Sequence, residues 1–148
     1  AIEALRSLIT SSNERVRANS IEALGNLITA LDKDDPVFLA AKIDIRKTLT
    51  DRSGRCRANA IIALKDERDV NIINPLQEMI ASDSVNVKKS ALYALADLSR
   101  NEFLPLIEKL YLDKNAEVKK NAAHVLRVMS DEGSSSAAQL LDKLQKTH

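Results

Sequence analysis

The sequence is short of the residues that punctuate chains. Three glycines and three prolines in 148 residues are too few for the closely spaced turns of an all-β sandwich or barrel. A single cysteine, Cys56, excludes an internal disulfide framework and fits a reducing compartment, so a cytoplasmic setting is expected. There is no tryptophan, and aromatics make up 3% of the chain, which leaves little for stacking on nucleic-acid bases. Charge of either sign is not in excess: the formal net charge is +1. That argues against a highly basic nucleic-acid binder, though not against a local basic patch. No apolar run reaches the roughly 18 residues of a membrane span, and no signal-peptide pattern appears.

What is present is ordinary for a globular domain with a substantial core: 45% hydrophobic and 29% charged residues. The chain opens "AIEALRSL", without Met and already in helical phase. That reads as a domain taken from a larger protein.

Groups for catalysis are equally scarce. The two histidines are His124 and the terminal His148, and no Cys/His grouping has zinc-ligand spacing. The stretch "DRSG" is too short for a phosphate loop of the G-x-x-x-x-G-K type. Asp32, Asp34 and Asp35 before Pro36 read as a helix start rather than a metal site. No catalytic residue, metal or cofactor is expected.

The informative feature is a repeated phrase. "RVRANSIEAL" (Arg15 to Leu24) returns as "RCRANAIIAL" (Arg55 to Leu64). With Val16, Cys56, Val87 and Val118 taken as equivalent anchors, the spacings are 40, 31 and 31 residues. Four residues on come Ser20, Ala60, Ala91 and Ala122, all small; eight on, all four are Leu (Leu24, Leu64, Leu95, Leu126). Three residues before each anchor stands Asn13, Ser53, Ser84 or Asn115, all strong helix N-caps. Each cap opens a helix with an apolar stripe, as in Val87, Ala91, Leu92, Ala94, Leu95 and Leu98. Another amphipathic helix precedes it.

The spacing predicts helices over about 1–10, 13–31, 36–50, 54–66, 70–81, 84–99, 101–112, 115–130 and 135–146. Pro75 fits poorly unless its helix starts later, near Ile72 or Asn74. The nine extra residues between the first two anchors fall in "ITALDKDDPVFLA" and should lengthen a helix on one side of "DKDD". The reading is one domain, 1–148, with repeats at about 1–31, 36–66, 70–99 and 101–130, then a terminal helix at 135–146. A two-helix unit of this size cannot enclose its own stripe, so neighbours must stack to bury it.

A helix pair with Asp in its turn, followed by "V-R-x-x-A-x-x-A-L", resembles the HEAT repeat. It is most similar to the short bacterial type also found among phycobilin-lyase relatives. The matching phrases are "RVRANSIEAL", "RCRANAIIAL", "NVKKSALYAL" and "EVKKNAAHVL". The resemblance implies an all-α solenoid, a right-handed superhelix of about four helix-turn-helix units plus a terminal helix. It also implies that the second helices line the concave face.

Arg17, Arg57, Lys88 and Lys119 sit in first turns, where positive charge opposes the helix dipole. We expect each to meet a turn carboxylate of its own or a neighbouring unit, Asp51, Asp83 or Asp113, in a ladder that the resemblance also implies. The alternative is an anion-binding row. Helical geometry puts the outward face of the second helices two, six and nine residues after each anchor. That gives Ala18, Glu22 and Gly25, then Ala58, Ile62 and Lys65, then Lys89, Tyr93 and Ala96, then Lys120, His124 and Arg127. The candidate partner-binding strip is therefore Ile62, Lys65, Lys89, Tyr93, Lys120, His124 and Arg127. The expected function is a noncatalytic scaffold that binds a protein or peptide of acidic character. A nucleic-acid module using the basic C-terminal repeats is the alternative, and a bilin-lyase-like activity rests on the resemblance alone.

Overall fold

A computed structural model describes residues 1–147. Among the described residues there are nine α-helices and no strand. They are α1 (Ile2–Leu8), α2 (Glu14–Ile28), α3 (Pro36–Lys47), α4 (Gly54–Ala63), α5 (Ile73–Ile80), α6 (Val85–Leu98), α7 (Leu104–Tyr111), α8 (Ala116–Asp131) and α9 (Ser135–Thr147). Short 3-10 turns follow α3 at Thr48–Thr50 and precede α7 at Asn101–Phe103. The chain forms two compact units, Ala1–Leu76 and Gln77 onward, and the division falls within α5. Within each, helix pairs stack side by side, the all-α solenoid plan that the repeat predicts.

Several helix ends differ from the expected ones, each for a local reason. Helix α4 stops at Ala63 because the chain turns at Leu64, whose carbonyl accepts the Glu67 N–H. Helix α5 starts at Ile73, where Asn71 Oδ1 accepts the N–H groups of Ile73 and Asn74. Pro75 then lies in the first turn, where its missing N–H costs little. Helix α8 runs one residue past the expected end at 130, to Asp131, and the chain turns at Gly133, whose φ of +108° few other residues adopt. The nine-residue insertion enlarges the segment after "DKDD": α3 has 12 residues where α5 and α7 have eight.

In the first unit, α2 packs on α1 and α4. Its core joins Ile9, Ile21, Leu24, Ile28, Phe38, Ile45, Cys56 and Leu64. Helices α2 and α4 approach closely: a β-carbon on Gly25 would stand 2.8 Å from Ala63 Cβ. Ala63 Cβ sits on backbone and cannot swing away. Gly25→Ala is therefore expected to push the helices apart, at about 1–3 kcal/mol, less up to about 1 kcal/mol returned by helix propensity. A lowered melting temperature would show it; a raised one would mean the contact yields freely.

In the second unit, α8 packs on α6, α7 and α9. Leu92, Leu95, Ile107, Leu110, Val118, Leu126 and Met129 are buried there. Ala137, Leu141 and Leu144 form the buried stripe of α9 against α8. This last helix closes the apolar edge that the fourth repeat would otherwise expose.

Candidate functional site

The second helix of each repeat, α2, α4, α6 and α8, begins alike. The cap side chain accepts the N–H three residues on, Asn13 from Val16, Ser53 from Cys56, Ser84 from Val87 and Asn115 from Val118, at 3.1 to 3.3 Å. The cap's own N–H is held by the side chain two residues earlier: Ser11, Asp51, Ser82 and Asp113. Two hydrogen bonds thus fix each turn. They also correct the ladder's membership: the position shared by Asp51 and Asp113 is filled in the third repeat by Ser82. Asp83 is exposed and one residue out of register.

The first rung is buried. Arg17 Nε and Nη2 each lie 3.0 Å from an oxygen of Asp51, while Nη1 donates to the Ser11 carbonyl at 3.0 Å. The two side chains are 5% and 12% exposed. One guanidinium therefore ties its own turn to the turn of the next repeat, with the planar fork that suits a carboxylate. Burial pushes the Asp51 carboxyl up, but the hydrogen bonds from Arg17 and the Ser53 N–H outweigh it and leave the pKa below its ordinary value. In the second unit Lys88 Nζ lies 2.6 Å from Asp113 Oδ2. That hydrogen bond, backed by the Asn115 N–H, holds Asp113 below the usual carboxylate range.

Arg57 departs from expectation, and Lys119 adds a contact of another kind. Arg57 Nε donates to the main-chain carbonyl of Asp51, not to a carboxylate. The Asp51 carboxylate is already taken by Arg17, and the next in-register position is Ser82. Lys119 Nζ sits 5.1 Å from the centre of the Tyr111 ring, a cation–π arrangement.

Both carboxyls are depressed on folding, so both stabilise the fold above the unfolded aspartate pKa of about 3.9. That contribution is lost as pH falls through the lower folded values. Thermal melts should hold steady above about pH 5 and fall progressively below about pH 4. Asp113→Asn should flatten the acid limb; an unchanged limb would place the acid sensitivity elsewhere.

The predicted binding strip is divided. Ile62 and Lys65 belong to the first unit and are half-buried. Lys65 follows the end of α4, so it is not on that helix's face as expected. Ala18, Gly25 and Ala58, assigned outward by angle alone, are buried. In the first unit that flank of α2 is consumed by α4: Gly25 meets Ala63, and Asn59 Nδ2 donates to the Ala18 carbonyl at 2.8 Å. The second unit keeps the remaining five. Tyr93 is 46% exposed on α6. On α8, Lys120, His124 and Arg127 are exposed one turn apart. Half-buried Lys89 reaches from α6 to Glu117 on α8 at 2.6 Å, which sets the register of the two helices at this surface.

Sequence reasoning missed a second surface on the capped helices. A cleft of about 640 Å³ in the first unit is lined by Glu14, Arg15, Ala18, Asn19 and Arg55. Its signal was legible: both copies of the opening phrase begin with Arg one residue before the anchor. Cys56 is buried, and burial pushes its thiol pKa up, as befits a packing residue. Asp35 caps α3 by accepting the Val37 N–H at 2.8 Å. Among the described residues no group of acidic, His or Cys side chains is arranged to hold a metal ion. No described helix is long and apolar enough to cross a membrane.

Comparison with curated proteins gave no match. Comparison with protein families gave one: HEAT repeats, over residues 41–127. HEAT repeats are generally protein-interaction scaffolds, and the family is typically noncatalytic. The match runs from α3 through most of α8, and the same cap, turn and stripe extend before it in α2. On the shared phrase, the stacked helix pairs and that match, the chain belongs to the HEAT repeat family.

Proposed function

We propose that this chain is a noncatalytic scaffold that binds an acidic protein segment, and that the capped helices of the second unit carry the recognition surface. The observation that carries the reading is the exposed row Lys120, His124 and Arg127 on α8 with Tyr93 on neighbouring α6. Tyr and Arg are favoured at interface hot spots because one side chain supplies both contact area and polar pairing. Lys120 and Arg127 supply exposed positive charge on α8, which suits an acidic partner. Ile62 and Lys65 extend the reading to the first unit only if a long partner reaches both. A cytoplasmic setting, read from the single reduced cysteine, belongs to the same proposal.

The nucleic-acid alternative has less support. The basic C-terminal repeats offer Lys88, Lys89, Lys119 and Lys120 as its phosphate contacts. Lys88 and Lys89 are ion-paired to Asp113 and Glu117, and Lys119 lies over Tyr111. A bilin-lyase-like activity rests on the family resemblance alone.

The test is selection of peptides from a displayed random library, followed by affinity measurements on variants. Tyr93→Ala and Lys120→Glu should each weaken a selected acidic peptide by more than about 1 kcal/mol, a factor of five or more. Full affinity in both variants would remove this surface from the proposal.

A further inference from the structure

A separate cleft of about 510 Å³ lies in the first unit, at the edge formed by the α1–α2 and α3–α4 turns. Its lining holds four cationic side chains, Arg6, Arg17, Lys47 and Arg52, and two carboxylates, Asp44 and Asp51. Four positive charges against two negative leave two positive. The carboxylates are already engaged: Asp44 receives Arg6 Nε at 2.7 Å, and Asp51 receives the Arg17 fork. Lys47 and Arg52, both exposed, supply the surplus.

The cleft also has hydroxyls suited to an anion. Ser11 Oγ accepts the Asn13 N–H, so its proton can be directed into the cleft, and Ser12 stands beside it. Lys47 adds a charge at the C-terminal end of α3, where it offsets the negative end of the helix dipole that an anion would otherwise meet. Two surplus positive charges with neighbouring hydroxyl donors match an oxygen-rich dianion better than a single carboxylate. The volume is within the usual range of small-ligand sites.

We propose that this cleft binds a phosphate monoester dianion. The site lies on the turn edge of the first unit and uses none of the residues of the recognition surface proposed above, so either can fail without the other. In it, Lys47 and Arg52 provide the charge and Ser11 and Ser12 the directional donors. The salt bridges of Arg6 and Arg17 keep Asp44 and Asp51 from repelling the ligand.

The test is a titration of the whole chain, isotopically labelled, followed by amide chemical shifts. The probes are inorganic phosphate, a phosphoserine flanked by glycines, the same peptide unphosphorylated, and a single-stranded oligonucleotide. The expected result is saturable shifts clustered at Ser11, Ser12, Lys47 and Arg52 with phosphorylated probes only. They should weaken with added salt and be reduced about tenfold or more in affinity by Lys47→Glu with Arg52→Glu. Both substituted residues are exposed, and an unchanged helical circular dichroism spectrum would show that the variant folds. A preference for the phosphopeptide would assign the site to a phosphorylated side chain of a partner; equal binding would assign it to the phosphate group alone, as carried by a small molecule. Absent shifts, or shifts unaffected by the double variant, would overturn the proposal. So would localised binding of a single-stranded oligonucleotide alone.

Discussion

Arg17→Ala is expected to destabilise the first unit by about 3–5 kcal/mol, the range for removing one partner of a buried ion pair. The cost comes mainly from what is left behind. Asp51 would keep its burial and its hydrogen bond from Ser53 but lose two bonds from the guanidinium. The carbonyl of Ser11 would lose its donor as well. Arg17→Lys should recover only part of the loss, because an ammonium cannot present two parallel N–H groups to the carboxylate. Chemical denaturation followed by circular dichroism checks the series. A loss below about 1 kcal/mol in Arg17→Ala would mean that the pair behaves as a surface bridge. Asp51→Asn with Arg17→Met should be milder than either single change, since no buried charge is stranded.

Leu126→Ala should cost about 2–5 kcal/mol in the second unit. Leu126 is fully buried on α8, the helix that packs against α6, α7 and α9. Cavity costs scale with how little the surroundings relax, and a helix held on three sides has little room to shift. Leu126→Met, close in volume, should cost less than about 1.5 kcal/mol. A truncation that melted like the parent would show that the site collapses without strain.

The parts of this structure legible in the sequence are those set by neighbours in the chain. Asn13, Ser53, Ser84 and Asn115 bond the N–H three residues on, so their role follows from type and position alone. The buried Leu at the eighth place follows from helical period in the same way. What was not legible depends on who sits alongside. A helical wheel gives Ala18 and Gly25 an outward angle but cannot say that the contact between α2 and α4 occupies that flank. Lys65 was placed on a helix face because "ALKDERDV" has no Gly or Pro to announce that α4 stops at Ala63. The composition of the turn points to Asp83 for the ladder; the bond to the cap N–H shows that register decides, and there the residue is Ser82.

The alternation of Asp and Ser at that turn position sets the size of the interchangeable part. Arg17 of the first repeat needs Asp51 of the second, and Lys88 of the third needs Asp113 of the fourth. Excising one repeat of 31 residues would part a donor from its acceptor and strand a charge in a half-buried or buried turn. Excising the first and second together, or the third and fourth, would remove donor and acceptor as a set. Shortening, duplicating or recombining this chain in those pairs of repeats would keep each donor with its acceptor, so the single repeat that the eye finds first is only half of a module.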